Sequence, residues 1–124
     1  MSEIDTRSQQ RKLQRHLIND IVEVYDTQHD HYLGRLVNIH AEGLMVMGDS
    51  AVEVDRLYQL ALQLPKPING RDLIHIGVDC LWVKESDDHN KHWSGFYIID
   101  KSVEAEDDIN RLVQLLEESA NSAQ

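Results

Sequence analysis

From Ile21 to Asp100 this chain repeats one pattern: short runs of alternating apolar and polar residues, each closed by a cluster of turn formers. Alternation at period two sends successive side chains to opposite faces, so each run suits a strand with one buried side. IVEVY (21–25) is the first such run, and the polar DTQHDH after it reads as a hairpin connection. YLGRLVNI (32–39) is the return strand, with Gly34 marking a bulge. HAEG interrupts the pattern, LMVM (44–47) resumes it, and GDSAVEVDR forms a connection. LYQLALQL (57–64) is a further strand, stopped by the two prolines and glycine of PKPING. DLIHIGVDCLWVKE (72–85) is long enough to cross a barrel and bend at Gly77, and WSGFYIID (93–100) follows the charged loop SDDHNKH.

The last segment changes period. Ile109, Leu112, Val113 and Leu116 fall at i, i+3, i+4 and i+7, one apolar face of a helix. Ser102 is placed to cap its N-terminus, and Glu104, Glu106, Asp107 and Asp108 complement the positive end of the helix dipole. Leu115 lies off this stripe, which leaves homodimerisation through the helix open. About six short antiparallel strands and one C-terminal helix favour a small closed β-barrel, because closure removes exposed edges. Packing of the helix on the chain's own core is expected. The expected organisation is an N-terminal arm over 1–10, mobile by composition, one domain over 11–119 that includes the helix, and a frayed tail over 120–124.

At 124 residues with a net charge of −10, the chain lacks the positive excess that DNA, RNA or membrane-surface binding draws on. No window approaches the roughly 18 apolar residues of a membrane span, and MSEIDTRSQQ lacks signal-peptide character, so a cytoplasmic protein without membrane insertion is expected. Cys80 is the single cysteine and sits in VDCLWV, the context of a buried strand thiol. Seven histidines, including the pair His29 and His31, show none of the spacings of a structural zinc site, and no metal or other cofactor is expected. No nucleophile–base spacing is recognisable, so no enzymatic activity is expected.

Against the acidic background, RSQQRKLQRHL (7–17) gathers Arg7, Arg11, Lys12 and Arg15. Arginine matches phosphate bidentately and stacks on flat bases, so Arg11 and Arg15 suit a shared grip on a nucleotide. A solvated basic end is the plainer reading. A second cluster, NIHAEG (38–43), lies between two expected strands. Asn38 offers a donor and an acceptor, while Gly43 allows positive φ or close approach of backbone N–H groups to a phosphate. An ordinary hairpin turn is the alternative.

Taken together, the two clusters resemble the PilZ domain family, which pairs RxxxR with a later [D/N]xSxxG. Arg11-Lys-Leu-Gln-Arg15 fills the first motif, and Asn38-Ile-His40-Ala-Glu-Gly43 lies where the second belongs, with His40 in place of serine. A long later strand bearing Trp82, the run WSGFYI and the final helix extend the similarity over roughly residues 11 to 116. The resemblance implies a six-stranded antiparallel barrel that binds the bacterial second messenger cyclic di-GMP and relays the signal to a protein partner. It implies Arg11 and Arg15 as the clamp, with Arg7 as auxiliary charge, and Asn38 as a guanine contact. His40 would stand at the serine position, and Gly43 would keep the loop tight. Trp82 is either a guanine-stacking aromatic or a core tryptophan. His40 and Glu42 motivate the alternative of a degenerate PilZ-like scaffold that binds protein and no nucleotide.

Overall fold

The computed structural model describes residues 21–87 and 90–122. Among these residues are six strands: β1 (Glu23–Asp26), β2 (His31–His40), β3 (Gly43–Gly48), β4 (Leu57–Ile68), β5 (Arg71–Glu85) and β6 (His92–Asp100). One helix follows, α1 (Val103–Ser122). All neighbouring strands are antiparallel and the sheet closes on itself in the order β1-β2-β3-β6-β5-β4, with β1 paired to both β2 and β4. The expected arm over 1–10 and the start of the expected domain, 11–20, lie outside the described residues.

The alternation read in the sequence sorts side chains as expected. Val24, Val46, Leu60, Leu62, Ile74, Ile76, Val78 and Phe96 point inward and fill the barrel. Cys80 is fully buried among them, and burial pushes its thiol pKa up, so it stays protonated. Gly34 does mark a bulge, with Val24 facing Gly34 and Tyr25 facing Tyr32. Its φ of 147° and the Met47 carbonyl, 2.2 Å from where a Cβ would stand, both demand glycine. Gly77 also sits at a register shift against β6, the expected bend.

The PKPING stop needs correction. β4 continues through Pro65 and Pro67 to Ile68, and the reversal is made by Asn69 and Gly70 alone, at φ 53° and 80°. Two positive φ values in a two-residue loop are the hairpin geometry that Asn-Gly favours. The prolines are tolerated because the β4–β5 ladder is irregular between Gln63 and Ile68, where their missing N–H groups break no regular pairing. The Gln63 side-chain amide instead donates to the Asp72 carbonyl at 3.1 Å.

α1 starts as expected: Ser102 Oγ accepts the Ala105 N–H at 3.0 Å, and the Ser102 carbonyl accepts that of Glu106. Ala105, Ile109 and Leu112 are buried, with Val113 and Leu116 packed against the core. Leu115, partly buried, also packs there and lines an apolar cleft of about 300 Å³ with Val22, Pro65 and Pro67. Asp108 serves more than the helix dipole. Only 1% exposed, its carboxylate accepts Arg71 Nε and Nη2 at 2.8 and 2.9 Å and Asn69 Nδ2 at 2.8 Å. The helix is thereby bolted to the β4–β5 hairpin.

Arg71 holds the Asp108 carboxyl below the usual carboxylate range, helped by Asn69 and opposed by burial. A folded-state pKa below the unfolded value of about 3.9 stabilises the fold above that pH, and the contribution is lost as pH falls through the folded pKa. Asp108→Ala is therefore expected to cost about 2 kcal/mol near neutrality. In urea titrations the gap between wild type and variant should hold from about pH 7 to about pH 5 and narrow as pH falls further, toward and through the folded pKa. A gap that stays constant as pH falls through that lower range would show that the carboxylate charge is not what binds the helix.

Candidate functional site

Strand register lays a grid of side chains over the outer face of β2, β3, β6 and β5. One row runs Arg35, Met47, Trp93, Lys84; the next Asn38, Met45, Gly95, Trp82; the third His40, Gly43, Tyr97, Asp79. Between the second and third rows, Ile39, Leu44, Phe96 and Cys80 are buried on the inner side. Strands about 4.8 Å apart put the two ends of a row roughly 14 Å apart along the sheet.

Two bulges make this grid. In β2, Leu36 pairs with Val46 and Asn38 with Met45, so Val37 is an extra residue. In β5, Cys80 pairs with Phe96 and Trp82 with Gly95, so Leu81 is extra. Strict alternation would put Asn38 opposite in sense to Arg35, and Trp82 inward with Cys80. Each inserted residue resets the phase, and both Asn38 and Trp82 emerge on the outside. Trp82 is 41% exposed, so it is a surface tryptophan and not a core one.

Trp82 lies flat over Gly95. A Cβ on Gly95 would stand 2.1 Å from Trp82 Nε1 and 2.3 Å from Cε2. The indole separates two shallow depressions that share Met45. One, about 330 Å³, is lined by Asn38, His40, Glu42, Gly43 and Tyr97; the other, about 470 Å³, by Lys84, Ser86, Asp87 and Trp93. Both are of a size that small ligands fill. An aromatic plate, amide and imidazole groups, and an exposed cation at each end of the first row suit a flat heterocycle bearing negative charge.

The β2–β3 loop is Ala41 and Glu42. The His40 ring lies against Gly43, and His40 Nδ1 accepts the Glu42 N–H at 3.3 Å. Gly43 is needed for close packing, since a Cβ there would meet the Phe96 carbonyl at 2.7 Å; positive φ, the other role open to it, is not used. Asn38 is exposed, and its side-chain amide has no hydrogen-bond partner among the described residues. Thus Asn38, His40, Gly43 and Trp82 come together on one face. Arg7, Arg11, Lys12 and Arg15 lie outside the described residues.

Several residues of this face were not singled out in the sequence. Arg35, Lys84, Met45 and Tyr97 join it through strand register, which no local motif announces. At the edge of the grid, Ile21 and Arg35 flank Tyr32, whose hydroxyl donates to the Glu23 carboxylate. Partial burial, then the hydrogen bond and charge of Glu23, push the Tyr32 pKa up to about 12. The paired histidines are spent locally: His29 Nδ1 bonds Asp26 and His31 Nε2 bonds Ser50, at 2.8 and 2.9 Å. Among the described residues no three His, Cys, Asp or Glu side chains form a metal-sized group.

Solved structures show where this architecture recurs. The PilZ domain of YcgR from Escherichia coli, solved with c-di-GMP, superposes with a TM-score of 0.61 over 83% of this chain and 86% of its own, at 13% identity. The fold is PilZ-like. Bacillus subtilis inhibitor of motility (MotI/DgrA) matches with a TM-score of 0.64 over 86% of this chain, at 12% identity, and this chain spans about half of that one, 49%. Borreliella burgdorferi PlzA, in complex with c-di-GMP, matches at 0.53 over 95% of this chain and 58% of its own, at 11% identity. No protein-family model and no curated protein matches the sequence. Within this PilZ-like barrel, no helix among the described residues is long and apolar enough to cross a membrane.

Gly95→Ala tests the tryptophan plate. The added methyl group should displace the Trp82 indole and shift its Nε1–H resonance in a Trp93→Phe background, with the far-ultraviolet dichroism retained. An unmoved indole resonance would mean that Trp82 does not rest on Gly95.

Proposed function

We propose that this chain is a cytoplasmic receptor for cyclic di-GMP, held on the outer face of β2, β3, β6 and β5, and that it relays occupancy to a protein partner without catalysing a reaction. The observation that carries this reading is the row Asn38–Met45–Gly95–Trp82: a free amide and an exposed indole brought to one face by two bulges, with His40 and Gly43 in the adjoining row. Two structures that share the fold were solved with c-di-GMP, which supports the choice of ligand.

Arg11 and Arg15 supply the clamp, with Arg7 and Lys12 as auxiliary charge. Chain length supports this. Ile21 lines the same depression as Arg35 and Met47, at the edge of the grid. The six residues from Arg15 to Ile21 reach about 20 Å when extended, enough to fold back over the face. In this reading Asn38 binds a guanine edge, Trp82 stacks on a base, and Arg35 and Lys84 add positive charge. His40 fills the motif's serine position with a ring that packs on Gly43. The ligand is a small dianion, which an acidic protein binds through a local cluster because charges beyond about 8 Å are screened.

A second reading has its own observation. The third row continues across β5 to β4, where Leu57 pairs with Asp79 and is 61% exposed; Leu81, Tyr97 and Ile99 are exposed nearby. An apolar surface of this kind suits a protein partner and is the basis for a scaffold that binds no nucleotide.

Calorimetric titration with cyclic di-GMP separates the two. The receptor reading expects saturable heat that weakens as salt rises, and a loss of about tenfold or more in affinity for Arg11→Ala or Arg15→Ala. Folded protein that gives no heat at high micromolar ligand would leave the scaffold reading in its place.

A further inference from the structure

The loop between β2 and β3 is held at both of its carbonyls, by Ile98 of β6 and by Lys101 just beyond the strand. The Ile98 N–H donates to the Glu42 carbonyl at 2.8 Å, and Lys101 Nζ donates to the Ala41 carbonyl at 2.8 Å. With His40 Nδ1 accepting the Glu42 N–H, both carbonyls and one N–H of the two-residue loop are engaged. Lys101 and Ser102 are the whole connection between β6 and α1. Ser102 in turn caps the helix through Ala105 and Glu106.

A lysine has roughly 2 kcal/mol of rotamer entropy to lose when held in one place. Here that freedom is given up for a neutral carbonyl at the tip of the loop that carries His40 and Glu42. A two-residue connector leaves little slack, so a shift of the loop tip is passed through the lysine stem to the helix cap.

We infer that Lys101 is a positioning residue, a strut that ties the β2–β3 loop to the start of α1 so that the state of the loop is felt at the helix. As a route for ligand signalling, this rests on the reading of the loop as part of the cyclic di-GMP site. Occupancy at His40 and Gly43 then reaches Ala105 and Glu106 through the Lys101 side chain, and α1 is where the output is read.

The strut is tested first without ligand, by a double-mutant cycle on the full chain. Ala41→Gly keeps the carbonyl but loosens the loop, and Lys101→Met keeps the stem but removes the donor. Ala41→Gly should speed hydrogen exchange at the Ala105 and Glu106 amides several-fold when Lys101 is present and have no such effect in the Lys101→Met background; Lys101→Arg should restore it. Equal effects in both backgrounds overturn the inference. Titration with cyclic di-GMP supplies the second arm. Wild type should show amide shifts in the 38–43 loop and at Ala105 and Glu106, and Lys101→Met should lose the helix shifts while still binding. Loop shifts without helix shifts in wild type overturn the strut and leave the receptor reading intact. Absence of any shift overturns the receptor reading, and the exchange cycle then decides the strut by itself.

Discussion

A closed antiparallel barrel of six strands obliges alternate side chains to point inward, and everything else in this molecule is arranged around that rule. The interior takes what regular alternation sends to it: Val24, Leu60, Leu62, Ile74, Ile76, Val78 and Cys80. A closed sheet has no free edge at which to present binding groups, so a recognition surface has to be built on the convex face. Here the rule is suspended at Val37 and Leu81, and those local exceptions set out the grid on the outer face.

The helix meets a different constraint. A helix docked on a barrel by an apolar stripe alone is free to slide along it. Asp108, buried and bonded by Arg71 and Asn69, fixes the helix against the hairpin that joins the two longest strands. The net stability of such a pair is what remains after desolvation is offset, and its three directional bonds tie the helix to Asn69 and Arg71 in particular. The cap at Ser102 and the lock at Asp108 hold the first two turns of α1 at a fixed distance from the grid, as any mechanical link between them requires.

The strands and the helix were legible because their periods differ, and Ser102 was legible as a cap because its oxygen needs only a local partner. Asn38, His40 and Gly43 were legible as a group because they are close in sequence. Trp82 was not, since VDCLWV reads as an unbroken inward–outward series in which Cys80 and Trp82 share a face. Only the pairing of Trp82 with Gly95 and of Cys80 with Phe96 reveals the extra residue. Arg35 and Lys84 stayed hidden for a related reason: partners across four strands are chosen by register, a property of the whole sheet. The prolines of β4 misled in the other direction. Pro65 and Pro67 fall where the ladder is already irregular, so they cost the strand little and do not end it.

The bulges at Val37 and Leu81 have a consequence for how such a surface can change over time. What both contribute is their presence in the count of residues; Val37 is exposed, and Leu81, also exposed, lines the depression beside Trp82 as well. Val37 can therefore drift in chemical character more freely than Leu81, while losing or gaining one residue at either position would exchange inside for outside along the rest of the strand. A comparison that scores residue types and treats a one-position gap as noise reads past such a site. The invariant of this face is a parity, and parity is visible only once the strands have been laid side by side.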